Sequence, residues 1–345
     1  MKRLLRILAL LVLILVAIGA ATFFWGYQQL NKAYSHNRES DLITIEPGMG
    51  KRAIVDRLVE QGIIAERWPI VVYLSLRPQE GNLQAGDYLF PSPITPLEAI
   101  SKLRQGLVVT QQITIPEGYD KFDVVETLVS AQVDSREAIE KAIGDTSLIS
   151  DLDPKARSLE GYLFPDTYTY TRQQKAPQII AAMVKRFRQM LTEERQKRIV
   201  ELGLTLHEVI TMASLVEKEA KADEERVLVA AVFYNRLKKG MRMDCDPTFV
   251  YAAKLAGEWD NQINNPVHRK RESVYNTYYI AGLPAGPIAS SGLKSLEAAL
   301  YPAQADYLYF VATGTNGRHN FSRTESEHLA AVAAYRRNKK QQQNQ

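Results

Sequence analysis

The sequence predicts an α+β protein carried on one N-terminal transmembrane helix. Three observations lead there. An unbroken apolar run lies near the N-terminus, a strand–turn–helix unit occurs twice, and a series of helical periods is broken by turns rich in glycine and proline. With 345 residues, 46% of them apolar, the chain can bury a sizeable core and form about two domains. The formal charge is +4, from 43 basic and 39 acidic residues. Lys2, Arg3 and Arg6 precede the apolar run, and Arg336, Arg337, Lys339 and Lys340 lie near the C-terminus, so the body between has no basic excess. A phosphate-binding surface needs clustered Lys and Arg, so nucleic-acid binding is not expected. Cys245 is the only cysteine, which rules out a disulfide framework. His36, His207, His268, His319 and His328 show no metal spacing, and Thr211 stands where a metalloprotease helix opening at His207-Glu208 would place its second His. No metal or other cofactor is expected.

The elements follow in chain order. Residues 1–6 form a basic N-terminus and residues 7–25 the membrane span, since about 20 apolar residues cross the hydrocarbon core. The basic start favours a cytoplasmic N-terminus, with the remainder outside the cytoplasm. Phe23, Phe24, Trp25 and Tyr27 would form the outer aromatic belt. The length of the run favours an anchor over a cleaved signal, although Gly19-Ala20-Ala21 would permit cleavage. Residues 26–40 read as a polar stalk. Residues 41–154 read as one α+β module in two related halves, because Ile43–Leu58 (ITIEPGMGKRAIVDRL) resembles Ile113–Leu128 (ITIPEGYDKFDVVETL). Each copy alternates, turns at a glycine and then takes helical spacing. Gly48-Met49-Gly50 is not a dinucleotide fingerprint, because the second copy lacks the glycines.

Residues 155–335 form a second mixed α+β region, followed by a polar tail, 336–345. Leu159–Tyr168 (LEGYLFPDTY) opens it as a structured loop or short strand, either exposed or packed at a seam. One long amphipathic helix is predicted from Pro177 to Glu201. Thr205 to Glu208 is a capping box, and Val209 to Val216 is apolar almost all round, as in a buried helix. Glu217 continues an apolar stripe with Ile210 and Ala213. Partial burial, the negative helix end and nearby Glu219 all disfavour its charge, which suits a general acid. A buried basic partner would explain Glu217 equally well, and spacing leaves the choice open. Glu219, two residues on, points to nearly the opposite side. Asp223 is expected to cap a helix running to Lys239, with Val227, Ala230, Ala231, Tyr234 and Leu237 as its apolar face and Gly240 as its stop. Asp246 is expected to cap the turn at Asp244–Thr248. Tyr307–Ala312 and His319–Ser322 read as strands, joined by a type I′ turn at Asn316-Gly317. Tyr162, Phe164, Tyr251, Tyr275 and Tyr278, near polar residues, are candidate sugar-stacking faces. Ser291-Gly292-Leu293-Lys294 matches S-x-x-K by chance, since its partner motifs are missing.

The stretches LEGYLFPDTY, ASLVEKEA, VFYNRLKKGMRMDCDPT, YNTY, GLPAGPI, YLYFVA and HNFS occur in order from Leu159 to Ser322. Together they resemble the YceG-like (MltG) family of endolytic murein transglycosylases over essentially the whole chain. Ala285 stands where the family loop commonly has proline, and Cys245 occupies a variable position. The resemblance implies a LysM-like N-terminal module before the catalytic domain. It implies cleavage of the β-1,4 bond between N-acetylmuramic acid and N-acetylglucosamine within peptidoglycan strands, leaving a 1,6-anhydro end. It assigns the acid/base to Glu217. Asp246, Thr248, Tyr275, Asn276, Tyr278 and Glu219 are the candidates for positioning substrate. Expected partners are the glycan strands, the membrane through one helix, and the peptidoglycan synthases. The rival readings are a hydrolytic muramidase, with Asp246 or Glu160 as second carboxylate, and a non-catalytic wall-binding scaffold.

Overall fold

The apolar run lies inside a single helix, α1 (Lys2–Asn31), in the computed structural model, which describes residues 2–77, 82–314 and 317–343. Its apolar side chains from Leu4 to Phe24 are exposed, and the helix is long and apolar enough to cross a membrane. The chain divides into two units: residues 1–111 with 170–173, and residues 112–169 with 174–345.

The first unit is α+β. Strand β1 (Ile43–Ile45) leads through α2 (Lys51–Glu60) and α3 (Arg67–Leu76) to β2 (Gly86–Tyr88), and α4 (Pro96–Gln105) follows. β1 and β2 are antiparallel, with Ile43 opposite Tyr88 and Ile45 opposite Gly86. Ile43 and Ile45 alternate inward to meet Ile54, Leu58, Ile70, Phe90, Ile100 and Leu103 in one core. α4 carries a full capping box, with Thr95 and Glu98 each satisfying the other's backbone N–H. The expected stalk is tied down. Helix α1 continues past Trp25, whose ring stacks on Trp68 of α3 at 5.2 Å. Leu30 packs on the core, and Tyr34 exchanges backbone hydrogen bonds with Ile94 at 2.9 and 3.0 Å. Apolar surface on α3 and α4 holds a segment whose composition reads as polar.

The second unit begins with β3 (Gln111–Ile115), α5 (Lys121–Ser130) and α6 (Arg136–Gly144); β4 (Asp166–Tyr170) pairs with β3. Both repeat copies therefore fold as strand, turn and helix, but β1 pairs with β2 and β3 with β4. The copies fall in different units, instead of forming two halves of one module. The helix predicted from Pro177 to Glu201 is two, α7 (Ala176–Met190) and α8 (Glu193–Glu201). Thr192 breaks it by capping α8 with its hydroxyl, while Leu191 is buried. Then come α9 (Leu206–Glu219), α10 (Arg226–Lys238), α11 (Asp246–Leu255), α12 (Pro266–Lys270) and α13 (Leu293–Leu300). After the antiparallel hairpin of β5 (Tyr309–Ala312) and β6 (His319–Ser322) comes α14 (Glu325–Gln343), which carries residues 336–343 of the polar tail in helical form. Asn316, in the expected hairpin turn, lies outside the described residues; Gly317 has φ +65°.

Helix α9 is the centre of this unit. Every residue from Val209 to Val216 is buried, and α8, α10, α11 and α13 pack around it. Its N-terminus is the predicted capping box of Thr205 and Glu208. Two expected caps differ. Asp223 begins a short 3-10 turn and pairs with Arg226 and Lys294, leaving α10 to start at Arg226. Asp246 is the first residue of α11, and Cys245 holds the cap position. Helix α10 is buried nearly all round, Arg226 and Arg236 included, so its apolar face is wider than the predicted stripe. The segment from Leu159 to Pro165 is packed, not exposed, and Gly161 is the reason it can be. Gly161 has φ +81°, and a β-carbon there would lie 2.5 Å from Pro287 Cγ and 2.9 Å from Ile210 Cγ2.

Gly161→Ala combines backbone strain with a clash against α9 and the 285–288 loop. It should cost about 3 kcal/mol or more, read as a fall in the denaturant midpoint. Gly257→Ala, at φ +68° with open space around it, should cost no more than about 2 kcal/mol.

Candidate active site

Glu217 sits in the last turn of α9 with its side chain 6% exposed. A carboxylate there needs partners, because burying a bare charge is costly. Two are present. Arg226 Nη1 at the start of α10 donates to Oε1 at 3.2 Å, and the Gly292 N–H at the head of α13 donates to Oε2 at 2.9 Å. The positive end of α13 thus faces the carboxylate. Arg226 is itself 9% exposed, and it also bonds Ser295 and, through Nε, Asp223 at 3.2 Å. The buried basic partner left open by spacing is present, and it fixes the orientation of the carboxyl.

The loop after β3 closes this site. Gly118 N–H donates to Ser290 O at 2.8 Å, Ser290 N–H to Tyr119 O at 2.7 Å, and Lys218 Nζ to Gly118 O at 2.9 Å. Gly118 comes so near that a β-carbon on it would be 3.8 Å from Glu217 Cγ. Glu117 is exposed, and its carboxyl rests against the Gly292 α-carbon, where any β-carbon would overlap it. Partial burial and then the charge of Glu217 push the Glu117 pKa up, against Arg226 and Lys294.

The other candidates gather elsewhere. Asp246 accepts from Tyr278 Oη at 2.6 Å and from Arg269 Nη2 at 2.8 Å, and the Arg269 guanidinium lies over the Tyr278 ring at 4.7 Å. Glu219 lies beside Cys245 and Asp246. Burial, then the Asp246 charge, raise its pKa against the Cys245 hydrogen bond and the His319 and Arg236 charges. Thr248 and Asn276 are fully buried. The Thr248 hydroxyl bonds Cys245 O at 2.6 Å and shares a hydrogen with Thr277 Oγ1 at 2.9 Å. Asn276 Nδ2 donates to Arg269 O at 2.9 Å and to Arg271 O at 2.7 Å. These two hold the loop's shape and present no free polar atom at the surface. Tyr275 is half-buried against Tyr251 at 5.1 Å, and Tyr162, Phe164 and Tyr251 are buried, so their rings belong to the core.

Under the 285–287 loop lies a third polar group. His207 Nδ1 meets Asp153 at 2.6 Å and Nε2 meets Ala285 O at 3.0 Å, while Asp153 also accepts from Tyr162. Glu160, 3% exposed, accepts from Lys121 N at 2.9 Å, and burial raises its pKa to about 7. Local spacing marks neither Arg226, Ser295 nor Glu117, and Gly292 stands out only within the chance S-x-x-K match. A usable signal existed for Glu117, since the repeat copies differ there: Glu46-Pro47-Gly48 against Pro116-Glu117-Gly118.

These elements define an α+β protein with a helix of membrane length and a carboxyl held at a helix end between an arginine and a helix head. The YceG-like family model matches residues 43–334, and the chain belongs to that family. It is 32% identical over 336 residues to the endolytic murein transglycosylase of Bacillus subtilis (strain 168), covering 92% of this chain and 91% of that one. It is 27% identical over 358 residues to the endolytic murein transglycosylase of Streptococcus pneumoniae serotype 2 (strain D39), covering 94% of this chain and 64% of that one. A solved structure of a YceG-like protein from Listeria monocytogenes matches with TM-score 0.57 and 33% identity, over 84% of this chain and 98% of that one.

Removing one member of the buried pair strands the other. Arg226→Met should destabilise the protein by about 3 kcal/mol, and adding Glu217→Gln should recover part of that loss; denaturant unfolding of the single and double variants measures the coupling. Glu160 gives a pH dependence. Its pKa is raised in the folded state, so the cost of burying its charge is absent below the unfolded value near 4.5 and complete above about 7. Stability attributable to it falls across that window, by on the order of 3 kcal/mol. Glu160→Gln should flatten the decline, so its melting temperature relative to wild type should be higher at pH 8 than at pH 5.

Proposed function

We propose that this chain is a membrane-anchored endolytic murein transglycosylase. It cleaves the β-1,4 bond between N-acetylmuramic acid and N-acetylglucosamine within peptidoglycan strands and leaves a 1,6-anhydro end. The observation that carries this reading is the held carboxyl of Glu217, in a chain whose family relatives bear that activity in their names. Protonated Glu217 donates to the leaving glycosidic oxygen as the C1–O bond breaks. The 6-hydroxyl of the same sugar bonds to C1, and its proton returns to Glu217. One carboxyl suffices because the nucleophile is intramolecular, whereas an ordinary glycosidase uses a second one for water or a covalent intermediate. Asp246 with Tyr278 and Tyr275 is proposed to contact the strand, while Thr248, Asn276 and Glu219 shape the wall behind them. The basic residues before α1 favour a cytoplasmic N-terminus, with the catalytic unit outside. A tethered cutter meets strands where they emerge, so partnership with peptidoglycan synthases and limitation of nascent strands belong to the same proposal.

Hydrolysis is the second reading, favoured by Glu117, a carboxyl on the other side of Gly292. Product mass separates the two. Purified strands treated with the full chain should yield products one water lighter than those of hydrolysis, and Glu217→Gln should lower the rate by at least about 100-fold. Reducing ends would establish hydrolysis instead. A folded wild-type chain that cuts nothing would overturn both readings.

A further inference from the structure

Glu217 is held by two positive groups, Arg226 and the head of α13, while burial withdraws it from water. A further carboxyl beside the pair adds to the side of the balance that burial is on. The remaining groups around the site are Glu117, Lys218, Asp223 and Lys294. Asp223 is occupied with Lys294 and with Arg226. Lys218 is directed to Gly118 O. Glu117 is the carboxyl left facing the pair, and three backbone and side-chain hydrogen bonds between the 116–119 loop, the 288–292 loop and α9 keep it there.

We propose that Glu117 is a positioning residue for the reaction, a second carboxyl whose charge offsets Arg226 and so lets Glu217 hold the proton it delivers. The inference rests on the function proposed above. Gly292 is the joint of the arrangement. Its N–H binds Glu217, and its missing side chain leaves room for the Glu117 carboxyl, so the two acids flank one residue. Two carboxyls beside one guanidinium keep one proton between them more readily than a single carboxyl would. Burial first and then the Glu217 charge raise the Glu117 pKa, so the two carboxyls lie within electrostatic reach of each other. Glu117 undergoes no net proton change in the cycle. The proton leaves Glu217 for the leaving oxygen and returns to it from the 6-hydroxyl. Gly292 has φ −71°, a conformation open to alanine, so its substitution would act through the displaced carboxyl and not through backbone strain.

The test is the pH profile of anhydro-end formation by the full chain on purified strands, for wild type, Glu117→Gln, Glu117→Asp and Gly292→Ala. Without the Glu117 carboxyl, Arg226 and the head of α13 act on the acid with less opposition. Glu117→Gln should therefore move the alkaline limb of kcat down by about one pH unit and lower the neutral rate roughly tenfold, with little change in KM. Gly292→Ala should move the limb the same way, and the double variant should go little further than either single one. Glu117→Asp should restore part of the shift. A Glu117→Gln limb that coincides with wild type would overturn the inference, whatever the rate, because a merely structural residue lowers rates without moving the limb. If wild type cuts, Glu217→Gln does not and Glu117→Gln is unshifted, this inference alone fails. If wild type does not cut, or Glu217→Gln cuts as wild type does, the proposed function falls and this inference with it.

Discussion

A carboxylate at the end of a buried helix is the constraint around which the second unit is arranged. Helix α9 is buried from Val209 to Val216, where its polar residues Thr211 and Ser214 are satisfied by backbone hydrogen bonds, so its C-terminal turn is the first place after the N-terminal turn where a charged side chain stands. Glu217 stands there at 6% exposure, and leaving it unpaired would cost a few kcal/mol, a large share of a protein's margin of stability. Its partners must then be brought by other elements. The 3-10 turn at Asp223–Glu225 delays α10 so that Arg226 comes first in it, and the glycine before α13 points its N–H at the second oxygen. Ser295, in the first turn of α13, accepts from the same guanidinium nitrogen, Nη1, and Asp223 accepts from Nε. The packing of three helices and the chemistry of one carboxyl therefore have the same solution.

The same physics explains what could be read from the sequence. Local signals were legible: the capping box of Thr205 and Glu208, the all-round burial of α9, the glycine stop at Gly240 and both strand–turn–helix copies depend on neighbours a few residues apart. So did the position of Glu217 on an apolar stripe. Its partners were not legible, because Arg226 and Gly292 are 9 and 75 residues away and meet it only in three dimensions. Asp223 illustrates the limit. As a residue before a helix it has cap chemistry, but Arg226 and Lys294 compete for its carboxylate and win. Thr192 shows the reverse, a local cap strong enough to divide what periodicity had joined.

The repeat is informative through its difference. Both copies need a glycine with positive φ after the strand, at +86° for Gly48 and +79° for Gly118. The turn is thus the shared requirement, and the strands are free to pair with different partners. In the second unit the turn's backbone is engaged by Ser290 and Lys218. An element that serves the first unit as ordinary α+β framework has, in the second, become one wall of a site.

That reuse also bears on why Glu117 can be exposed and still matter. Solvent screens a surface carboxyl from distant charges but much less from groups lying under it in poorly solvated surroundings. Glu117 rests on an α-carbon, with a guanidinium and a second carboxyl on the far side, so its nearest charges are protein and not water. Glu217 and Arg226 are held from behind by α9, α10 and α13, and Glu117 is the exposed member of the three, so a charge at the surface reaches the buried pair across a single glycine.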